Sequence, residues 1–305
     1  MNDYNSYDLG YLCKPKAFFR MFMKESYYQV YWRFLAKNPN AIRLLEQFPE
    51  NINYSSLSSN PNPSAMYLLK RNIDEADEYQ LSENPNAIYL LEKFPNNIKW
   101  HRLSNNPNAI HILEQNLDKI DWSYLSKNPN AIHLLEKYPK KINWKCLSQN
   151  PNAIHILKKN MDKIDWYYLS LNPNAIHLLE RFPEKIDGFM TSLNRNAHKI
   201  WDKYPELIDW FVLSSNPSAI HLLEKNPDKI VWSQLSRNPN AMHLLEKNLD
   251  KINWLDIATN PAIFEYDYEA MRNRMKPIAE EIMANRFHPR NFDKFVSWGF
   301  EDFEL

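Results

Sequence analysis

Six histidines, His111, His133, His155, His177, His221 and His243, recur at one position of a repeated segment. A basic residue follows the last five by four: Lys137, Lys159, Arg181, Lys225 and Lys247. At 3.6 residues per helical turn each such pair shares one face, so the spacing predicts a His/basic ladder along an exposed helix surface. Imidazoles could ligate a metal, but stacked helices lie about 8–10 Å apart and zinc needs nitrogens at about 2.0–2.1 Å. No metal site is expected. Catalysis has as little support: the His/Glu pattern recurs everywhere with no singular nucleophile, glycine-rich phosphate loop or metal-ligand spacing, and Cys13 and Cys146 lack an activating context. No catalytic residue or cofactor is expected. What remains for the ladder is charge. Histidine gains a proton between about pH 8 and 5, so an acidic partner would bind more tightly as pH falls and less tightly as salt rises. Glu114, Glu136, Glu180, Glu224 and Glu246 flank the ladder and offset it. A solvated face, copied whenever the unit was copied, is the competing reading.

The elements that carry the ladder are set by a repeat. Its opening Asn-Pro pair falls at Asn38, Asn60, Asn84, Asn106, Asn128, Asn150, Asn172, Asn216, Asn238 and Asn260, with Arg195 replacing the proline after Asn194. The spacing is 22 residues except where Pro63 and Ser64 are inserted, which makes eleven units. A short fixed period predicts a solenoid, each unit burying its apolar face against its neighbours. Asn128 is an N-cap candidate, Pro129 suits the first helical position, and Ala131, Ile132, Leu134, Leu135 and Tyr138 fall on one face. Pro139 ends that helix after roughly nine residues. Asn143 then caps a second, shorter helix with Trp144 and Leu147 on one side; Asp121 and Asp165 stand at the same place in other units. The expected fold is all-α: an α-solenoid of two-helix repeats with helical caps.

The aromatic of the second helix recurs at Trp32, Tyr54, Trp100, Trp122, Trp144, Trp166, Trp210, Trp232 and Trp254. It reads as core, because each ring removes about 150–250 Å² from water. An exposed stacking platform for bases is the alternative. A leucine-rich repeat also has a period near 22, but its apolar alternation fails here while i, i+3 spacing succeeds. Two units depart from the pattern: Ala76-Asp77-Glu78 replaces Ile-Asp-Trp, and Gly188 takes a Trp position. Both read as drift or as a bend in the superhelix.

Eleven units at about 8–10 Å each predict an elongated array of roughly 90–110 Å before curvature. Residues 1–31, rich in aromatics, are expected to cap its first unit, residues 32–264 to form the solenoid, and residues 265–305 to cap the other end. The second cap is expected to hold helices over Tyr268 to Arg286 and Pro289 to Ser297. Lys plus Arg equals Asp plus Glu at 37 each, which gives no net field toward nucleic acid or an anionic membrane. Two cysteines cannot build a disulfide framework, and no apolar run spans a membrane. A cytoplasmic protein without membrane partners is therefore expected.

The unit, as in LSKNPNAIHLLEKYP, resembles the short Asn-Pro repeats of giant nucleocytoplasmic large DNA viruses, over about residues 32–264. The ending from Phe287-His288-Pro289 to Trp298-Gly299 is similar to the closing segment of such proteins. The resemblance implies a viral protein, in infected cytoplasm or in the virion, and supplies no catalytic residues. The functional expectation is a non-enzymatic scaffold that binds another macromolecule or serves as a structural component. The alternative is a nucleic-acid-associated protein that uses the His/Lys ladder.

Overall fold

The computed structural model describes residues 13–17, 19 and 28–285, and within them the chain is an all-α repeat solenoid. One unit shows how it is built. Asn150 accepts a hydrogen bond from the Asn152 N–H at 3.0 Å and opens a 3₁₀ turn, Pro151–Ala153, which passes into an α-helix, Ile154–Lys159. A second 3₁₀ turn, Met161–Lys163, leads to Asp165, whose carboxylate accepts from the Tyr168 N–H and caps the helix Trp166–Leu171. The nine-residue helix expected at each Asn-Pro is thus divided. The side-chain cap and the proline tighten its first turn to 3₁₀, and only about six residues are α-helical.

Between the two helices of each unit lies a continuous core. Ala153, Leu157 and Leu169 are fully buried, as are their counterparts in neighbouring units. The Trp position is not: Trp100, Trp122, Trp144, Trp166, Trp210, Trp232 and Trp254 are half-buried and pack on the edge of that core. The next unit covers five of these rings in one of two ways. Where it supplies Tyr138 or Phe182, the rings meet edge-on at 5.3 and 5.2 Å. Where Asn116, Asn160 or Asn248 stands at that place, Lys119, Lys163 or Lys251 lies over the ring at 4.5, 4.6 and 4.6 Å. Both arrangements satisfy the negative face or the edge of the indole.

A ladder of buried asparagines joins the units. The Asn150 amide donates to the carbonyls of Ser126, at 3.1 Å, and Asn128, at 2.9 Å, one unit back. The same pair of bonds recurs at Asn60 and at Asn260, the last unit. Asn38 opens the first unit and has none before it in sequence. It donates instead to Ala258 and Asn260, both at 2.9 Å, and Asn40 donates to Pro261 at 3.0 Å. The first unit therefore stacks on the last, and the eleven units close into a ring.

This corrects the expectation of an elongated array. The seam unit is shared between the two ends of the chain: Asn260 and Pro261 supply its Asn turn, and the helix Tyr28–Leu35, with Trp32 buried, supplies its Trp helix. Strand β1, Cys13–Pro15, pairs antiparallel with β2, Phe264–Tyr266, and Arg43 holds Asp267 at 2.7 Å across the same seam. The described parts of the end segments thus latch a ring where caps over open ends were expected. The C-terminal helix runs from Tyr268 to Asn285 with Pro277 inside it. The helix expected over Pro289 to Ser297 lies outside the described residues.

Candidate functional site

The predicted ladder is on the surface, and its charge is largely engaged. His111, His133, His155 and His243 each meet a glutamate of the preceding unit, Glu92, Glu114, Glu136 and Glu224, at 2.9, 2.8, 3.0 and 2.7 Å. Lys158 and Asp202 stand at the corresponding places for His177 and His221, which make no such bond. Lys137 and Arg181 lie over their neighbouring rings, Tyr138 and Phe182, each at 5.5 Å. Lys225 and Lys247, after His221 and His243, are exposed. His155 and Lys159 line an open groove of about 580 Å³ with Trp144, Lys140 and Lys163. Among the described residues no group of His, Cys, Asp or Glu could hold a metal ion.

In a closed ring, equivalent groups lie closest together nearest the axis. A short Asn side chain reaches the neighbour's backbone directly, and Ser148 Oγ likewise accepts from the Asp165 N–H at 3.0 Å. On the His face it takes two side chains, His and Glu, to cross the gap. The Trp-bearing helices also pack against one another more extensively than the His-bearing helices do. The Trp helices therefore form the inner wall and the His helices the outer rim.

The first, second and fifth residues after the Trp position lie on the wall side of each Trp helix, although Ser56, Met190, Val212 and Asp256, at the second position, are themselves buried. Unlike the opening Asn, which is the same in all eleven units, these three positions differ from unit to unit. Tyr79, His101 and Tyr124 form one chain of rings at 5.5 and 5.6 Å. Arg102 and Lys127 lie over Tyr124, at 5.7 and 5.4 Å, and Lys145 over Tyr168 at 5.0 Å. Arg102 also donates to Glu83 at 3.0 Å. Beyond Lys145 the wall turns apolar: Tyr167, Phe189 and Phe211 occupy the same position in three consecutive units and are 44%, 43% and 53% exposed, with Leu193 beside them at 37%. Cys146 lies on this wall, and its partial burial pushes the thiol above its ordinary pKa, against the pull of Lys127 and Lys145. A raised thiol pKa leaves less of the reactive thiolate at neutral pH.

The unit with Gly188 shows what a broken repeat costs. A Cβ there would sit 2.2 Å from the Leu207 carbonyl oxygen, so the next unit's backbone fills the space a Trp takes elsewhere. Trp201, at a position held by Leu in most units, restores the bulk: it is 2% exposed and donates its indole N–H to the Thr191 carbonyl at 3.2 Å.

The inner wall was missed in the sequence because attention goes to positions that repeat. Its signal was the opposite one, three positions per unit that vary while the opening Asn is copied in every unit. The chain matches no family model, no curated protein and no solved structure.

Proposed function

We propose that this chain is a non-enzymatic ring scaffold that binds another macromolecule, in the first instance a protein. The observation that carries the reading is the division of labour within the unit. The copied polar residues are spent on ladders between units, Asn to carbonyl and His to Glu, while the inner wall presents different side chains in every unit and leaves large apolar ones exposed. Exposed contiguous apolar surface with a polar rim is the mark of an interaction site. The giant-virus resemblance adds the setting, a viral component in infected cytoplasm or in the virion. No described helix is long and apolar enough to cross a bilayer.

A second reading, association with nucleic acid through the outer His/Lys ladder, is favoured by the groove where Lys140, His155, Lys159 and Lys163 converge. Affinity isolation from the source cell separates the two. The experiment compares the native chain, an inner-wall variant (Phe189→Ser with Phe211→Ser) and a ladder variant (His133, His155 and His177 each to Gln). A stoichiometric protein partner lost from the first variant and kept by the second is the expected result. Nuclease-sensitive capture lost only from the ladder variant would support the second reading and overturn the first.

A further inference from the structure

We infer that the inner wall is a receptor for an extended peptide segment whose acidic side chains lie to one side of large apolar ones, an inference that rests on the scaffold reading above. The wall is divided into arcs. On the basic arc, Lys127 and Lys145 have no carboxylate partner among the described residues, although the chain as a whole is neutral. The wall's acids are already engaged: Glu83 by Arg102 and Asn105, and Asp256 by Arg237. Two donors on the same arc, Arg102 Nε and Gln149 Nε2, are buried with no acceptor among the described residues. The two uncompensated ammonium groups of Lys127 and Lys145 favour a ligand rich in carboxylate oxygens.

The neighbouring arc asks for something different. Tyr167, Phe189, Phe211 and Leu193 are exposed, with Met190 and Val212 beneath them, and the aliphatic members offer a phosphate or a base edge nothing. A single-stranded polynucleotide would stack bases on the three rings but gain little from Leu193, Met190 and Val212, whereas a peptide with acids followed by Leu or Phe satisfies both arcs. Size agrees. Eleven inner helices about 8 Å apart give a circumference of about 90 Å, and a helix width of about 10–12 Å leaves an opening roughly 15 Å across, room for one extended chain or one helix. At the face of that opening the units stand only about 4 Å apart, so an extended chain, rising about 3.3 Å per residue, passes one unit with about every residue. The matching segment thus carries acids against Lys127 and Lys145, then apolar residues against Tyr167, Phe189 and Phe211, at that spacing.

The test uses the full chain and fluorescein-labelled synthetic peptides of about 15 residues, with Glu in one half and Leu and Phe in the other, made in both chain directions. Controls replace Glu by Lys, or Leu and Phe by Ser, and a labelled oligo-dT of similar length is the nucleic-acid probe. Fluorescence anisotropy at about 50 mM salt is expected to show the acidic-apolar peptide binding at least about tenfold tighter than any control, weakening several-fold at about 500 mM. Lys127→Glu with Lys145→Glu should shift preference to the Lys peptide. Phe189→Ser with Phe211→Ser should weaken binding about tenfold at an unchanged thermal midpoint, since both rings are exposed. Equal binding of all peptides, no peptide binding, or tight binding of oligo-dT alone overturns the inference. Failure here while the inner-wall variant still loses its captured protein would leave the scaffold reading standing with a different partner chemistry; loss of both would remove it.

Discussion

Asn150 makes three hydrogen bonds with one buried amide, two outward to carbonyls of the unit before and one inward to its own turn, so it joins local folding to stacking. Asn150→Ala removes all three bonds, although the Asn128 carbonyl keeps the one it accepts from the Ala131 N–H, and should destabilise by about 2–4 kcal/mol in denaturant unfolding. Asn152→Ala, which breaks only an exposed bond to Pro129, should cost less than about 1 kcal/mol. Equal effects would mean that the ladder does not hold the units. Asn128 and Asn143 were legible as caps in the sequence because an Asn before a Pro or a Trp has one local use. The second use, donation into a neighbour 22 residues back, was hidden, since nothing local distinguishes a cap that is also a rung. Gly188 was read as drift or a bend, and the structure gives it a packing partner instead. Gly188→Ala should therefore lower the thermal midpoint by more than an ordinary helix-start substitution, because backbone, not a flexible side chain, stands 2.2 Å from the new Cβ.

At the level of elements, helix and cap positions followed from period and capping chemistry, while burial of the Trp helix did not. The i, i+3 pattern says which residues share a face, but how much of that face is covered depends on the next unit's Lys or Tyr. The seam is the element with no counterpart elsewhere. Its Asp267 accepts from Arg43 at 2.7 Å and from the Ala270 N–H at 3.2 Å, with Lys14 at 3.6 Å, and these hold the carboxyl below its ordinary value, the Arg43 bond foremost. A carboxyl depressed in the folded state adds stability above its unfolded pKa, about 3.9, and that contribution disappears as pH falls through the lower folded value. Asp267→Asn should thus remove stability at neutral pH and flatten the acid limb of the stability profile below about pH 4. An acid limb identical to that of the native chain would show that this carboxylate does not latch the seam.

For the whole molecule, the period predicted stacking but not closure, because curvature is the sum of small rotations, about 33° per unit for eleven units, that no single residue encodes. One clue was present: Trp32 has no Asn-Pro before it and Asn260 has no Trp sixteen residues after it, two halves of one unit far apart in the chain. Closure changes the expected size. A compact chain of this length has a radius of gyration near 20 Å. An open rod of 90–110 Å would give roughly 30 Å, and small-angle scattering separates the two. Closure also makes the order of units arbitrary, which leads to the last prediction. Tyr266 lies opposite Cys13 in the β1/β2 pair, so the end of β2 adjoins the start of β1 and a short Gly-rich turn can join them. A permuted chain with that turn in place of residues 1–12 and 268–305, opened between Lys140 and Lys141 on an exposed 3₁₀ turn, keeps every Asn rung including the one from Asn38 to Asn260. Arg43 and Lys14 can still reach Asp267, while the C-terminal helix is absent. The permutant should therefore fold with native-like helical content and the same compact radius, somewhat less stable because a covalent link within one unit has been exchanged for one at the seam. In an open solenoid the same link would have to draw together ends about 90–110 Å apart, and the chain could fold only by breaking several unit contacts. A permutant that is unfolded or elongated, alongside a control truncation of the same terminal residues that folds normally, would mean that the ring is not closed in solution.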